Sequence, residues 1–373
     1  MPSTADLSGS SHPVTVTAPL APQLPPRIPS LDGMRAVSIL IVVVAHVINP
    51  ATHPKLSATL GHIGNYGVRI FFLISGFLIT GLLLKEYDRT GTISLKAFYL
   101  RRAIRIFPAF YVYVGVIWLL VLFSVIHVSQ ADFLSAITYT MNYHADHGWY
   151  LNHTWSLAVE EQFYLLWPAL FLFARPAKAL RYAGLAIILI PILRAVLYLG
   201  FHASDSILSR HFETVSDALA TGCLLAGFYN RLKDFSVYLR LQASTFYVVI
   251  PLLLLLLSAL TFLVHPALYY IVGQSIANIG GVLLLDYVVR LPHSPLGRLL
   301  NIKPMVIIGF WSYSIYLWQE LMLDIEPGGL NIPWPFNFLS VFLVAAASYY
   351  LVEQQFLKLR KYVARHEAAA ATF

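Results

Sequence analysis

Ten apolar runs punctuate this chain, near residues 33–49, 66–86, 106–127, 155–174, 182–200, 213–229, 244–264, 267–289, 304–325 and 336–355. Each approaches the roughly 20 residues that an α-helix needs to cross hydrocarbon. Backbone polar groups in lipid must be satisfied within their own segment, so runs of this kind form helices. The pattern predicts an all-α, polytopic membrane bundle of about ten transmembrane helices. The stretches between the runs differ in charge. With the N-terminus inside, 21 of the 25 lysines and arginines fall on the cytoplasmic side, and both termini lie there too. Only Lys55, Arg69 and Arg210 fall outside, and Arg194 sits within a run.

Composition sharpens this picture. The chain is 58% hydrophobic and 12% charged, with mean hydropathy +0.68, which excludes a soluble protein. The net charge of +7 is no nucleic-acid footprint, because the basic residues lie between apolar runs, as topology requires. The single cysteine, Cys223, excludes a disulfide framework and a cysteine-based metal site. Residues 1–30, rich in Pro, Ser, Thr and Ala, are expected to form a disordered cytoplasmic tail. A membrane domain over 31–357 and a cytoplasmic tail over 358–373 complete the organisation, with no tandem repeat.

Candidate chemistry begins in the first run, LDGMRAVSILIVVVAHVIN, which is interrupted by Arg35 and His46. Eleven residues make three helical turns plus roughly 20°, so both side chains share one face, roughly 16 Å apart along the axis. Arg35 then marks one membrane surface, and His46 lies most of the way across. A histidine at that depth needs a cavity or a partner. The pair alone is balanced between a packed, hydrogen-bonded imidazole and a reactive one.

Three further stretches weigh on that balance. In FYLRRAIRIFP, Arg102 and Arg105 share a helix face, and Arg101 points elsewhere. They serve topology and lipid headgroups, or else form with Arg35 a phosphate clamp for a polyanion. The external loop 128–154 has no Lys or Arg and is rich in aromatic residues. That composition suits either a sugar surface or an interfacial belt. Its His144, His147 and His153 have no scaffold for a metal, and none is expected. Next comes TWSLAVEEQFYLLWP, where Ser156, Glu160 and Tyr164 follow at intervals of four on one face. Glu160 and Glu161 either mark a helix N-terminus or supply a working carboxylate. Near His46, such a carboxylate would raise the basicity of the imidazole and fix its tautomer.

Elsewhere, Asp217 is expected to pair with Arg210 or Arg194. Gly67, Ser75, Gly76 and Gly81 favour close helix packing in the second run. Trp311 to Glu320, WSYSIYLWQE, lines a cavity or forms an aromatic belt.

In this order, LDGMRA with Arg35 and His46, GVRIFFLISGFLIT, RRAIRIFP and TWSLAVEEQFYLLWP resemble the acyltransferase-3 family of integral-membrane O-acyltransferases, from Leu31 to about Glu353. The resemblance implies a multi-pass protein of the plasma (bacterial inner) membrane and an acyl-CoA donor, usually acetyl-CoA. It implies a hydroxyl acceptor on a sugar, glycan or glycolipid, and no permanently bound cofactor. On this reading His46 is the general base, oriented by Glu160, and Arg35, Arg102 and Arg105 hold the CoA phosphates. Trp155, Ser156, Tyr164 and Asp217 complete a candidate acceptor site. Membrane lipid is a further partner, and nucleic acid is not. Two positions depart from the family pattern: Arg69 stands where an acidic residue is common, and Gln319 where histidine is. The rival class is a transporter or flippase for an anionic or glycosylated substrate, which also uses intramembrane Arg, His and Glu. It fits less well, because no inverted repeat accompanies them.

Overall fold

The computed structural model describes residues 19–23, 27–48, 53–326 and 328–358. Most of the two expected tails, 1–30 and 358–373, lies outside those residues. Local sequence rules set the helix ends. α1 (Pro29–Val47) and α2 (Pro54–Thr90) each open on a proline, which a first turn tolerates because its missing N–H would have no partner there. α2 stops at Gly91, whose φ of 72° is left-handed and whose N–H caps the Tyr87 carbonyl. α3 (Leu95–Leu122) starts at Ser94, whose hydroxyl accepts from the Ala97 N–H.

Two short helices, α4 (Gln130–Ile137) and α5 (Trp149–Asn152), occupy the connection to α6 (Thr154–Phe201). α6 breaks at Arg175 (φ 65°, ψ 156°), because Pro176 disfavours helical geometry in the residue before it. α7 (Asp205–Arg210), α8 (Phe212–Phe228), α9 (Ser236–Gln242) and α10 (Phe246–Val264) follow. α11 (Pro266–Leu268) runs through a π turn, Tyr269–Gly273, into α12 (Gln274–Arg290). α13 (Pro295–Leu300), α14 (Lys303–Met322) and α15 (Phe336–Ser348) complete the chain, with no strand among the described residues.

Among the described residues, seven segments are long and apolar enough to cross a membrane, against the ten expected. The difference has local causes. The expected spans 155–174 and 182–200 are the two arms of the broken α6. α8 is only 17 residues long, and α14 carries the polar positions Ser312, Ser314, Gln319 and Glu320. The outer surface is apolar, with Phe173, Leu253 and Leu343 exposed, as lipid-facing positions are. Inside, α2 and α8 meet at glycine. A Cβ on Gly76 would lie 2.1 Å from the Leu219 carbonyl oxygen, and one on Gly222 would lie 2.2 Å from that of Leu73. Small residues allow this approach, which drives helix association where lipid offers no hydrophobic gain.

One end of the bundle, the basic end, carries the short 91–94 connection between α2 and α3, flanked by Lys85, Arg89, Lys96, Arg101, Arg102 and Arg105 on the two helices. Residues 19–23 lie against it: the Ala21 N–H donates to Asp88 Oδ2 at 2.8 Å, and Asn230 Nδ2 donates to the Ala21 carbonyl at 2.6 Å.

Deep in the bundle, Asp217 lies 2.9 Å from Arg194 Nη1 and 3.7 Å from Arg69 Nη1, with all three side chains buried. Arg69 also bonds Asn278 and Gln274, and Arg194 bonds Gln274, Ser275 and the Thr214 carbonyl. Asp217 is thus the counter-charge of a helix-joining network. This fits the expected pairing with Arg194 and removes Asp217 from any exposed acceptor surface. Breaking a buried pair costs about 3–5 kcal/mol, because it strands the remaining charge. Asp217→Ala should therefore lower the thermal unfolding midpoint in detergent sharply. An unchanged midpoint with only a raised KM for acceptor would instead return Asp217 to the acceptor site.

Candidate active site

Arg35 sits in the second turn of α1, and Arg102 and Arg105 sit near the start of α3, so helix geometry brings all three to the basic end. They line one cavity of about 100 Å³ together with Ser75, Ser156, Glu160, Glu161, Tyr164 and Tyr316. A second cavity, of about 470 Å³, adjoins it and shares Arg35, Arg105, Ser312 and Tyr313 while adding Arg27, Asp32, Glu353 and Lys358. Three guanidiniums around one space cost free energy unless anionic groups accompany them. Asp32 supplies part of that charge, 3.6 Å from Arg27 and 4.0 Å from Arg35. Arg102 lies over the Tyr164 ring at 4.9 Å. Arg101 turns away to Glu86 at 3.3 Å, as its position on another helix face predicts.

Glu160 faces this cavity and not His46. It accepts from the Ser75 hydroxyl at 2.6 Å, and Ser75 Oγ lies 3.1 Å from the Tyr164 hydroxyl. Deeper along the cavity, Tyr316 donates its only hydroxyl proton to the His153 carbonyl at 2.7 Å. The 2.6 Å contact between Ser156 and Tyr316 is therefore donated by Ser156. Both residues line the cavity, whereas His46 and Glu320 do not. One turn further along α14, beyond Tyr316, stands Glu320.

Glu320 is fully buried and is the carboxylate that meets His46. Its Oε2 accepts from His153 Nδ1 at 2.7 Å and from the His153 N–H at 3.2 Å. Its Oε1 lies 3.6 Å from His46 Nε2, beyond hydrogen-bond range, and has no hydrogen-bond partner among the described residues. His46 Nδ1 contacts the Val42 carbonyl at 2.7 Å. A carbonyl only accepts, so Nδ1 carries the proton and Nε2 of the neutral ring is a bare acceptor. The ring meets Trp149 edge-on, with centroids 5.7 Å apart, and Trp149 Nε1 donates to the Glu320 carbonyl at 2.7 Å. His46 Nε2 and Glu320 Oε1 thus form two adjacent acceptors with nothing bonded between them. That edge fits the proton of a hydroxyl group.

The remaining predicted positions divide. Ser156 and Tyr164 line the cavity, and Trp155 lies beneath Arg210, whose guanidinium is 5.8 Å from its ring. The three loop histidines diverge: His144 pairs with Asp132 at 3.0 Å, His147 meets Arg210 and His153 meets Glu320. Burial, and then the charge of Arg210, lowers the pKa of His147, so it stays neutral and accepts. Sequence reasoning singled out the stretch containing Glu320 but gave the carboxylate no role. The rule that drew attention to Glu160, an acidic residue at the outer end of an apolar run, applies equally to Glu320.

Residues 28–353 match the family model of the acyltransferase-3 acyltransferase domain, and the chain belongs to that family. It is similar to the peptidoglycan O-acetyltransferase OatA of Listeria monocytogenes, with 29% identity over 357 residues, covering 88% of this chain and 54% of the relative. It is also similar to the O-acetyltransferase OatA of Staphylococcus aureus, with 31% identity over 326 residues, 79% of this chain and 50% of the relative. The chain spans about half the length of the curated relatives it matches. No solved structure matches it significantly.

Proposed function

We propose that this protein transfers an acetyl group from cytoplasmic acetyl-CoA to a hydroxyl of a cell-envelope glycan presented at the opposite membrane face. The observation that carries the reading is the placement of two acceptor atoms, His46 Nε2 and Glu320 Oε1, 3.6 Å apart. The pair lies at the far end of a line of residues that begins at the arginine-lined cavities. The basic end is cytoplasmic by its charge. CoA phosphates dock on Arg35, Arg102 and Arg105, where guanidinium forks match phosphate oxygens. The pantetheine arm runs along the cavity, past Ser156 and Tyr316, and brings the thioester toward His46.

The chemistry then needs one base. The acceptor hydroxyl gives its proton to His46 Nε2 as its oxygen attacks the thioester carbonyl carbon. The C–S bond breaks, and the departing CoA sulfur takes the proton back from the imidazolium. Glu320 stabilises that imidazolium through Oε1 and is itself oriented by His153. The peptidoglycan named for the Listeria relative makes a cell-wall glycan the natural first acceptor to assay.

CoA alone should raise the thermal stability of the purified protein. Arg105→Ala should weaken its binding by about 1.5–3 kcal/mol, the scale of a charge-assisted contact. Absence of CoA stabilisation in the wild type, or unchanged affinity in Arg35→Ala, Arg102→Ala and Arg105→Ala alike, removes the donor assignment.

A further inference from the structure

In the outer half of the bundle one carboxylate serves two of the buried arginines. Asp217 is shared by Arg69 and Arg194, which leaves Arg210 without it. Arg210 is half-buried, yet among the described residues it has no carboxylate within ion-pair distance. Its partners are neutral: Nη1 donates to His147 Nε2 at 2.5 Å and to Asn152 Oδ1 at 2.6 Å. Both bonds leave from Nη1. The Nε–Nη2 edge donates to nothing among the described residues. That edge carries the parallel N–H pair that grips a carboxylate or phosphate in two-point geometry.

Its position is informative. Asn152 and Trp149 lie three residues apart on α5, which places them on one helix face. Trp149 borders His46, and Asn152 holds Arg210, so a single short helix links the reactive edge to the free guanidinium edge. His46, Trp149, Asn152, His147 and Arg210 are all partly exposed, unlike Glu320 beneath them. They lie together on the partly exposed side of the reactive pair. Glu320 acts on Arg210 electrostatically from beyond ion-pair distance, so its charge leaves the bonding edge of the guanidinium free, and a neutral sugar gives no reason to keep such an edge there.

We propose that Arg210 is the anion-binding element of the acceptor site and that it selects a glycan bearing a carboxylate or phosphate near the hydroxyl to be acylated. This rests on the acceptor reading above and names the acceptor's chemical class. Anchoring the anion on Arg210 places the neighbouring sugar over Trp149 and His46.

The test uses the full chain in nanodiscs and reads binding, so it is independent of turnover. Three probes are compared: an N-acetylglucosamine/N-acetylmuramic acid oligosaccharide with free carboxylates, its methyl ester, and a polyprenyl-pyrophosphoryl disaccharide. Wild type should bind at least one anionic probe about tenfold to hundredfold more tightly than the neutral ester, the range of a charge-assisted contact. Which anionic probe gains identifies the source of the anion. Arg210→Gln should abolish the preference and leave ester binding unchanged, Arg210→Lys should restore part of it, and His46→Ala should keep it. If transfer fails but the preference stands, the acyltransfer reading falls and the anion site survives. Equal binding of all probes by wild type, or a preference that persists in Arg210→Gln, overturns the proposal. So does an equal loss of ester and acid binding in Arg210→Gln, which marks a purely structural arginine.

Discussion

His46→Ala should abolish acetyl transfer while leaving expression, folding and CoA binding intact. The residue lies in the last turn of α1, partly exposed, with Nδ1 fixed on the Val42 carbonyl and Nε2 free. Its removal breaks one local hydrogen bond and opens no core cavity. Loss of a general base costs about 10²–10⁴ in rate, so turnover should fall by that factor with an unchanged CoA affinity. His46→Gln should be nearly as inactive, because an amide bonds a hydroxyl without accepting its proton. Wild-type turnover in His46→Ala would reduce the imidazole to a packing group.

Glu320→Gln should be the second large loss, about 10²-fold or more in kcat. The substitution preserves volume, and an amide oxygen can still accept from His153. It removes the negative charge 3.6 Å from His46 Nε2 that stabilises the imidazolium. It also permits an amide N–H to bond Nε2 and occupy the lone pair that the acceptor proton requires. Glu160→Gln serves as the contrast, since Glu160 bonds Ser75 beside the arginines. That variant should change the KM for acetyl-CoA more than the chemical step. If Glu160→Gln loses kcat and Glu320→Gln does not, the carboxylate assignment reverts to the one expected from sequence.

The contrast shows where sequence legibility ended. The membrane bundle, the shared face of Arg35 and His46 and the turn-spaced pair Arg102 and Arg105 follow from helical periodicity, and the structure brings all three arginines to one cavity. The face carrying Ser156, Glu160 and Tyr164 also holds. The carboxylate beside His46 was not legible. It depends on α14 packing against α1, a contact between segments more than 250 residues apart that no local pattern encodes. Glu160 has the nearer signal, following a long external loop, but four residues of α6 per turn carry it toward the basic end. The expected ten spans and the seven long apolar segments differ for a related reason. Hydropathy registers the basic residues near Arg175 as a loop, whereas the chain only breaks helical geometry there for one residue before Pro176.

The central claim is that donor and acceptor reach His46 from opposite membrane faces. The most direct measurement uses sealed vesicles of one known orientation, with labelled acetyl-CoA on the side of the basic end and a glycan acceptor confined to the other. Label should appear on the glycan across the intact membrane and vanish in His46→Ala vesicles. Labelling only when both substrates share the compartment of the basic end would contradict the account, even with acetyltransferase activity intact.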